Sequence, residues 1–233
     1  MKTRKELIQK RKQIPDRQKK DFQIACGLLP FFKAGMSAGL YIPYGAEANI
    51  WQFFPEARRK KASGQEQGKQ KEENTQAVWQ APVLPECCPA FRQDLSLKDL
   101  ETLIASLQLH LAAPKVMGAK SMAFFEAVDL KPGSMDILEP AGAEGGQKEE
   151  IPDILIIPML AFWNGYRKGY GKGYYDRYLA KHPECFRIGI AYDEQEERFE
   201  IQPWDERMDI LVTPTRILRF ADRRQKTEFP LPV

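Results

Sequence analysis

The chain has few of the residues that build structural metal sites or disulfide frameworks. Its 233 residues include four cysteines and two histidines, and Cys87 and Cys88 are adjacent, which is not metal-ligand spacing. These counts favour a reduced protein without structural zinc. No apolar run approaches the roughly 18–20 residues of a membrane helix, and the N-terminus lacks the apolar core of a signal peptide. We therefore expect a cytoplasmic protein with no membrane partner.

The size and composition predict one folded unit. A chain of this length with 43% hydrophobic residues can bury a single sizeable core, so we expect one domain over residues 1–233. Two segments, 60–76 and 141–150, contain few side chains that could join that core. We interpret both as flexible surface insertions. No internal repeat is evident.

The positive charge is concentrated at the N-terminus. The net charge is +3, yet nine of the 35 Lys and Arg residues lie in the first 20 positions, beside only two acidic residues. A basic arm on a more acidic body attracts anions. Nucleic acid, nucleotide phosphates or a polyglutamate tail would each fit, and a solvated helix face is the alternative for most of these lysines.

The apolar spacing predicts alternating helices and strands. Helical segments are expected at 3–13, from Pro15 onward, and along a leucine-rich stripe that Asp94 or Ser96 would cap. Strands are expected at 37–44, 107–111, 121–128, 151–158, 186–192 and 209–213, and the 151–158 segment is apolar enough to be covered on both faces. The pattern predicts an α/β fold: a single-domain, largely parallel sheet flanked by helices in a Rossmann-like three-layer arrangement. In such sheets ligands bind beyond the carboxyl ends of strands, which here lie just after Tyr44, Pro158, Tyr192 and Val212.

The segment AFWNGYRKGYGKGYYDRYL at 161–179 is the most informative one. Its four glycines permit close approach of backbone amides to a ligand, and Arg167, Lys168 and Lys172 add positive charge. A helix beginning near Lys172 would direct its N-terminus into the same loop, which completes a phosphate-binding arrangement. The loop is not of the Walker type, because Gly171-Lys172 is followed by Gly-Tyr rather than Ser or Thr. A purely structural turn is the alternative.

The stretch GYRKGYGKGYYDRYL resembles the signature of the 5-formyltetrahydrofolate cyclo-ligases, also called 5,10-methenyltetrahydrofolate synthetases. These are single-domain α/β enzymes that use ATP and magnesium. The resemblance implies a C–N bond-forming ligase that converts 5-formyltetrahydrofolate to 5,10-methenyltetrahydrofolate, ADP and phosphate. It further implies that the protein binds ATP and a folate, with or without a polyglutamate tail. We expect a monomer that binds no nucleic acid.

The resemblance also implies roles for individual residues. Lys172 and Arg167 are the expected catalytic cations, and Asp176 and Asp205 are the expected ligands of Mg²⁺. Glu47, in YIPYGAEANI, matches a pterin-binding glutamate of the family. The expected ATP-binding residues are Lys2, Arg4, Arg167, Lys168, Gly169, Tyr170, Gly171, Lys172, Gly173, Tyr174 and Tyr175. The expected folate-binding residues are Glu47, Tyr170, Gly171, Lys172, Gly173 and Tyr174.

Other interpretations remain open from the residues alone. One of Tyr174 and Tyr175 could be helix core, Asp205 could form a cap or pair with Arg207, and Glu47 could complement a helix dipole. The four tryptophans are expected in the core or covering it. Two other functions also remain: an RNA-binding module using the basic arm, and a sugar-phosphate isomerase with a glycine-rich phosphate loop. The chain departs from the family pattern by a longer passage between Glu47 and Lys115.

Overall fold

An eight-stranded sheet lies at the centre of the protein in the computed structural model, which describes residues 1–54, 95–133 and 137–220. Along the sheet the strands follow the order β12-β11-β10-β7-β1-β2-β3-β6. Five neighbouring strands, β11, β10, β7, β1 and β2, are parallel, and the three remaining strands pair antiparallel at the two sides. The strands are β1 (Ser37–Leu40), β2 (His110–Val116), β3 (Met122–Glu126), β6 (Glu149–Glu150), β7 (Ile154–Pro158), β10 (Phe186–Ile190), β11 (Ile210–Val212) and β12 (Ile217–Arg219).

Two short antiparallel pairs lie outside the central sheet. One joins β4 (Lys131–Pro132) to β5 (Leu138–Glu139). The other is a hairpin of β8 (Ala161–Trp163) and β9 (Tyr166–Lys168). Its two-residue turn consists of Asn164 and Gly165, both with positive φ, which is the geometry that Asn-Gly turns favour between paired strands.

Strand β7 is buried on both faces, as its apolar sequence predicts. Ile154 and Ile156 pack into the large core cluster on one face, whereas Leu155 and Ile157 belong to a second cluster on the other. This alternation follows from the two-residue period of a strand. The sheet is therefore covered by helices on both sides, and the predicted α/β class is confirmed.

Four α-helices occur in the described residues: α1 (Arg4–Lys12), α2 (Arg17–Leu28), α3 (Leu97–Ser106) and α4 (Tyr174–Lys181). Helices α2 and α3 contribute to the larger core cluster, and α4 packs on the opposite face. Capping boxes begin α1 and α3, with Thr3 and Ser96 as the N-caps. No helix in these ranges is long and apolar enough to cross a membrane.

Several boundaries differ from the sequence-based expectation. A 3₁₀ turn at Trp51–Phe53 and the β8–β9 hairpin were not among the predicted elements. The 141–150 segment contains a 3₁₀ turn at Gly142–Gly145 and strand β6, so it is not an irregular loop throughout. Its flexibility stays a prediction. The predicted insertion at 60–76 lies outside the described residues.

Candidate active site at the carboxyl edge of the sheet

A cleft of about 1230 Å³ opens beyond the carboxyl ends of β1 and β7. The chain passes from β1 to β2 on one side, and β7 lies on the other side of β1, so this is a topological switch point of the sheet. The volume exceeds the roughly 300–1000 Å³ of a typical small-molecule site. The cleft therefore has room for more than one small ligand.

The glycine-rich loop forms one wall of this cleft between β9 and α4. Gly173, with a φ of +65°, is the N-cap of α4, and Gly171 has a φ of +98°. A Cβ atom on Gly171 would also lie 3.0 Å from the guanidinium carbon of Arg4. The positive φ favours glycine at 171, and a side chain there would also displace the end of the Arg4 side chain. The amide groups at the start of α4 lie in the same wall, as an anion site needs.

Five cationic side chains line the cleft, and Arg177 is the one that donates a hydrogen bond of 2.6 Å to the Lys172 carbonyl oxygen. Lys172 is exposed, and Lys168 lies 5.4 Å from the centre of the Phe199 ring. The Arg4 Nε donates a hydrogen bond of 3.2 Å to the Gly169 carbonyl oxygen, which ties α1 to the loop. Arg167 is buried and contacts Asp176 at 2.9 Å. The positive charge predicted from the sequence is thus concentrated around one space.

Glu47 lies on the same cleft, in the turn that follows β1. Only 7% of the residue is exposed. One carboxylate oxygen accepts a hydrogen bond of 2.9 Å from the Tyr44 amide, and the other lies 3.6 Å from Nη1 of Arg11. Burial raises the pKa of Glu47, while the Tyr44 amide and Arg11 act in the opposite direction. No α-helix starts at Glu47 in the described residues, so the helix-dipole interpretation is wrong.

Tyr170 connects Glu47 to the glycine-rich loop. Its hydroxyl interacts with Glu47 and accepts a hydrogen bond from Nη2 of Arg11. Its ring packs edge-on against Tyr44, with centroids 6.3 Å apart. Burial and the neighbouring Glu47 raise the pKa of Tyr170 to about 12. The phenol is therefore neutral at physiological pH and can donate its proton in a hydrogen bond.

Asp176 and Asp205 both line the cleft. Asp176 is paired with Arg167, and Asp205 accepts a hydrogen bond of 2.8 Å from the Gln202 amide, so a capping contact is present at Asp205. No group of three or more His, Cys, Asp or Glu side chains suited to a metal occurs in the described ranges. Mg²⁺ is commonly held by one or two carboxylates together with substrate phosphates. The two aspartates are ligands of this kind, and their assignment to Mg²⁺ stays a prediction.

The structure brings together every predicted site residue except Lys2. The ammonium group of Lys2 lies 2.6 Å from Glu197, and Lys2 is not among the residues that line the cleft. This geometry does not favour the predicted ATP contact of Lys2. Tyr174 and Tyr175 both line the cleft, although Tyr175 also packs against the core. The alternative that one of them belongs to the helix core fits Tyr175, which lines the cleft as well.

Two features of this site were not predicted from the sequence. Arg11 was counted with the solvated basic arm, yet it is 2% exposed and contacts both Glu47 and Tyr170. Its position four residues after buried Leu7 was an available signal, because residues i and i+4 share a helix face. Trp204 was expected in the core or covering it, but it is 69% exposed at the edge of the cleft.

The fold and the site define a class: an α/β protein with a cationic, glycine-lined cleft at the switch point of a mostly parallel sheet. The sequence model of the 5-formyltetrahydrofolate cyclo-ligase family matches residues 89–214, which is more than half of the chain. The chain belongs to this family.

Individual relatives agree with this assignment. A 5-formyltetrahydrofolate cyclo-ligase from Mycoplasma genitalium is 47% identical over 62 residues, which cover 26% of this chain and 38% of that protein. A probable 5-formyltetrahydrofolate cyclo-ligase from Schizosaccharomyces pombe is 29% identical over 126 residues, covering 46% of this chain and 62% of that one. The matched segments thus span less than two thirds of either relative.

A solved structure supports the fold over nearly the whole chain. The 5,10-methenyltetrahydrofolate synthetase of Aquifex aeolicus superposes with a TM-score of 0.62, covering 97% of this chain and 95% of that protein, at 24% identity. The enzyme of the same name from Mycoplasma pneumoniae gives a TM-score of 0.53 at 22% identity, covering 91% and 96% of the two chains. At these identities the similarity concerns the fold alone.

Proposed function

We propose that this protein is a 5-formyltetrahydrofolate cyclo-ligase that uses ATP and Mg²⁺ to form 5,10-methenyltetrahydrofolate, ADP and phosphate. Membership of the family supports the reaction type. The exposed Lys172, on a glycine-rich loop in the same cleft as buried Glu47, is the observation that carries the proposal. The cleft thus combines a site suited to the charged phosphates of ATP with a site suited to the neutral, hydrogen-bonding pterin ring.

The phosphate half of the cleft is suited to phosphoryl transfer. The formyl oxygen is a poor leaving group, so the γ-phosphoryl group of ATP is transferred to it, and nitrogen 10 then attacks the activated carbon as phosphate departs. Such a transfer depends mainly on positioning and on neutralising charge. Lys172, Arg167 and Arg4 supply the positive charge, and the amides of the loop and of the α4 N-terminus bind phosphate oxygens.

The other half of the cleft is suited to the pterin ring. Glu47 offers a carboxylate in a largely water-excluded position, where it can accept hydrogen bonds from the ring's amino and amide groups. Tyr170 of the glycine-rich loop interacts with this carboxylate, and Tyr174 at the start of α4 lines the same cleft. The two ligands would therefore meet at the glycine-rich loop.

Asp176 and Asp205 would hold the magnesium ion beside the phosphates. When bound, the ion supplies charge neutralisation for the β- and γ-phosphate oxygens. Asp176 also orients Arg167 through their 2.9 Å contact, so the same carboxylate serves both a metal and a catalytic cation. The monomeric state and the cytoplasmic location predicted from the sequence are part of this proposal.

The RNA-binding alternative receives little support from the N-terminal segment. Lys2 and Lys10 pair with Glu197, Lys20 pairs with Glu194, and Arg11 is buried. These contacts reduce the basic surface that nucleic acid would need. Family membership likewise favours the ligase over the isomerase.

The direct test mixes the protein with ATP, Mg²⁺ and 5-formyltetrahydrofolate and follows the absorbance of the methenyl-folate product. The Lys172→Met variant keeps the side chain's length but removes its charge, so turnover should fall by about 10²–10³-fold. Thermal stability should be nearly unchanged, since an exposed loop charge contributes little to folding. Arginine at this position should rescue poorly, because its planar fork does not reproduce a compact ammonium group.

Lys181→Met is the matched control, because Lys181 is exposed at the far end of the adjacent helix α4. It should retain the parent rate. A Lys172→Met protein that turns over at the parent rate would contradict the role of the loop, and the absence of product from the parent protein would refute the proposed reaction.

A further inference from the structure

Arg11 is a buried charge that the proposed mechanism does not yet use. Its side chain is on the same face of α1 as Leu7 and is 2% exposed. A guanidinium group loses much of its hydration when it is buried, so it requires compensating partners inside the protein.

The partners of Arg11 come from three separate segments. Nη1 donates a hydrogen bond of 3.2 Å to the carbonyl oxygen of Met159, directly after β7, and lies 3.6 Å from Oε1 of Glu47. Nη2 donates a hydrogen bond to the hydroxyl of Tyr170, and the guanidinium carbon lies 5.5 Å from the centre of that ring. One side chain thus joins the turn after β1, the end of β7 and the glycine-rich loop.

Arg11 does not itself line the cleft, whereas Glu47 and Tyr170 do. Any effect of Arg11 on a ligand must therefore pass through these two residues. We propose that Arg11 is a positioning residue for the folate half of the site, holding the Glu47 carboxylate and the Tyr170 hydroxyl in the arrangement that binds the pterin ring. This inference rests on the proposed function and extends it to a residue outside the cleft.

The charges around Glu47 explain why Arg11 matters. The groups that face the carboxylate are Arg11 from α1, Tyr41 after β1, Tyr170 from the loop and Tyr175 from α4. The pKa of each of these three tyrosines is raised, chiefly by burial, so all three are neutral at physiological pH. Arg11 is the full positive charge in this group, and removing it leaves a carboxylate surrounded by neutral partners.

The test is a double-mutant cycle on the equilibrium binding of 5-formyltetrahydrofolate. Arg11→Met should weaken this binding about 10-fold or more in the parent background. In a Glu47→Gln background the same change should cost less than about 3-fold, because its main partner is already neutral. ATP binding should show no such coupling. Equal losses in both backgrounds, or unchanged folate binding by a folded Arg11→Met protein, would overturn the inference.

A second readout separates positioning from simple structural support. Without Arg11 the pKa of Glu47 rises, so a larger share of the carboxylate is protonated at a given pH. The loss of folate affinity in Arg11→Met should therefore be largest at low pH and should narrow as the pH increases. Arg11→Lys keeps the charge but cannot reach all three partners, and it should show intermediate affinity without the pH-dependent loss. A loss that does not change with pH would contradict the proposal.

Two controls keep the outcome interpretable. Lys10→Met removes a neighbouring charge on α1 that pairs with Glu197, and it should leave folate binding unchanged. Circular dichroism checks the fold, and if Arg11→Met does not fold, Arg11→Lys and Tyr170→Phe carry the test, each expected to weaken folate binding in the parent background more than in Glu47→Gln. A parent protein that binds 5-formyltetrahydrofolate but shows an additive cycle would refute this inference alone, whereas a parent protein that does not bind it would refute the proposed function as well.

Discussion

At the scale of single residues, Glu47 is the side chain that distinguishes the proposed folate half of the cleft from the phosphate half. Glu47→Gln keeps the shape of the side chain but removes its charge. If the carboxylate holds buried donors of the pterin ring, folate binding should weaken by roughly 1.5–3 kcal/mol. ATP affinity should change little, because the phosphates bind at the glycine-rich loop. Titration of each ligand separately measures both effects, and equal damage to the two affinities would mean that Glu47 is structural.

The pH dependence of folate binding should also report Glu47. Burial raises the pKa of this carboxyl group, and its charged form is the one that accepts hydrogen bonds from the ring. Affinity should therefore be complete above the raised pKa and should be lost as the pH falls through it. This loss should begin at a higher pH than for an ordinary glutamate. Binding curves measured across pH should lose this acidic limb in Glu47→Gln, and a limb that persists would have to come from another group.

The two cleft aspartates carry a separate prediction about magnesium. Asp176→Asn and Asp205→Asn should each raise the Mg²⁺ concentration needed for half-maximal turnover. Asp176→Asn should also lower the free energy of unfolding, because it neutralises the partner of buried Arg167. At position 205, asparagine retains an oxygen that can still accept the hydrogen bond from the Gln202 amide. Asp129→Asn is a suitable control, since Asp129 is exposed and has a φ of +47°, which asparagine tolerates. A normal magnesium requirement in both cleft variants would remove the metal assignment.

At the scale of elements, helices α1 and α3 begin with the same capping arrangement but serve different purposes. Thr3 caps the helix that carries Arg4, which lines the cleft, and Arg11, which contacts Glu47 and Tyr170. Ser96 caps a helix whose buried residues, Leu100 and Ile104, belong to the core. Loss of a Ser or Thr N-cap typically costs about 1 kcal/mol. The two caps therefore allow stability and function to be separated within one fold.

We expect Ser96→Ala to lower the free energy of unfolding by about 1 kcal/mol without changing turnover. Thr3→Ala should instead raise the KM for ATP, because fraying of the first turn of α1 releases the contact between Arg4 and Gly169. Denaturant unfolding and steady-state kinetics on both variants provide the measurement. The reverse pattern, with turnover lost in Ser96→Ala, would show that α3 is coupled to the site.

At the scale of the whole molecule, the described residues on either side of the predicted 60–76 insertion contribute to one core cluster. Phe54 is buried in the large core cluster, and Leu95 packs against the same cluster. Residues 54 and 95 therefore contact the same core cluster. Because the 60–76 sequence has almost no core-forming side chains, its deletion should barely affect the melting temperature or turnover. A Gly/Ser segment of equal length is the control, and a large loss in the deletion alone would show that the length of the segment is required.

The sequence by itself determined the α/β class and most of the cleft. Three local patterns predicted these features: the apolar run at 151–158, the leucine stripe of α3 and the glycine-rich loop. Each depends on the spacing or the backbone conformation of residues that are close together in the sequence. The Asn164-Gly165 dipeptide is also a local signal for a hairpin turn, although the hairpin was not among the predicted elements. Such features need no knowledge of distant segments.

Only the tertiary structure decided which charges are buried and which side chains pair. Arg11 is one of nine basic residues near the N-terminus, and its role depends on Glu47, Met159 and Tyr170, which lie far from it along the chain. Lys2, which was predicted to bind ATP, likewise pairs with Glu197 instead of lining the cleft. The strength of a charge is set by the partners and the water around it, and those are determined only when the strands and helices pack together.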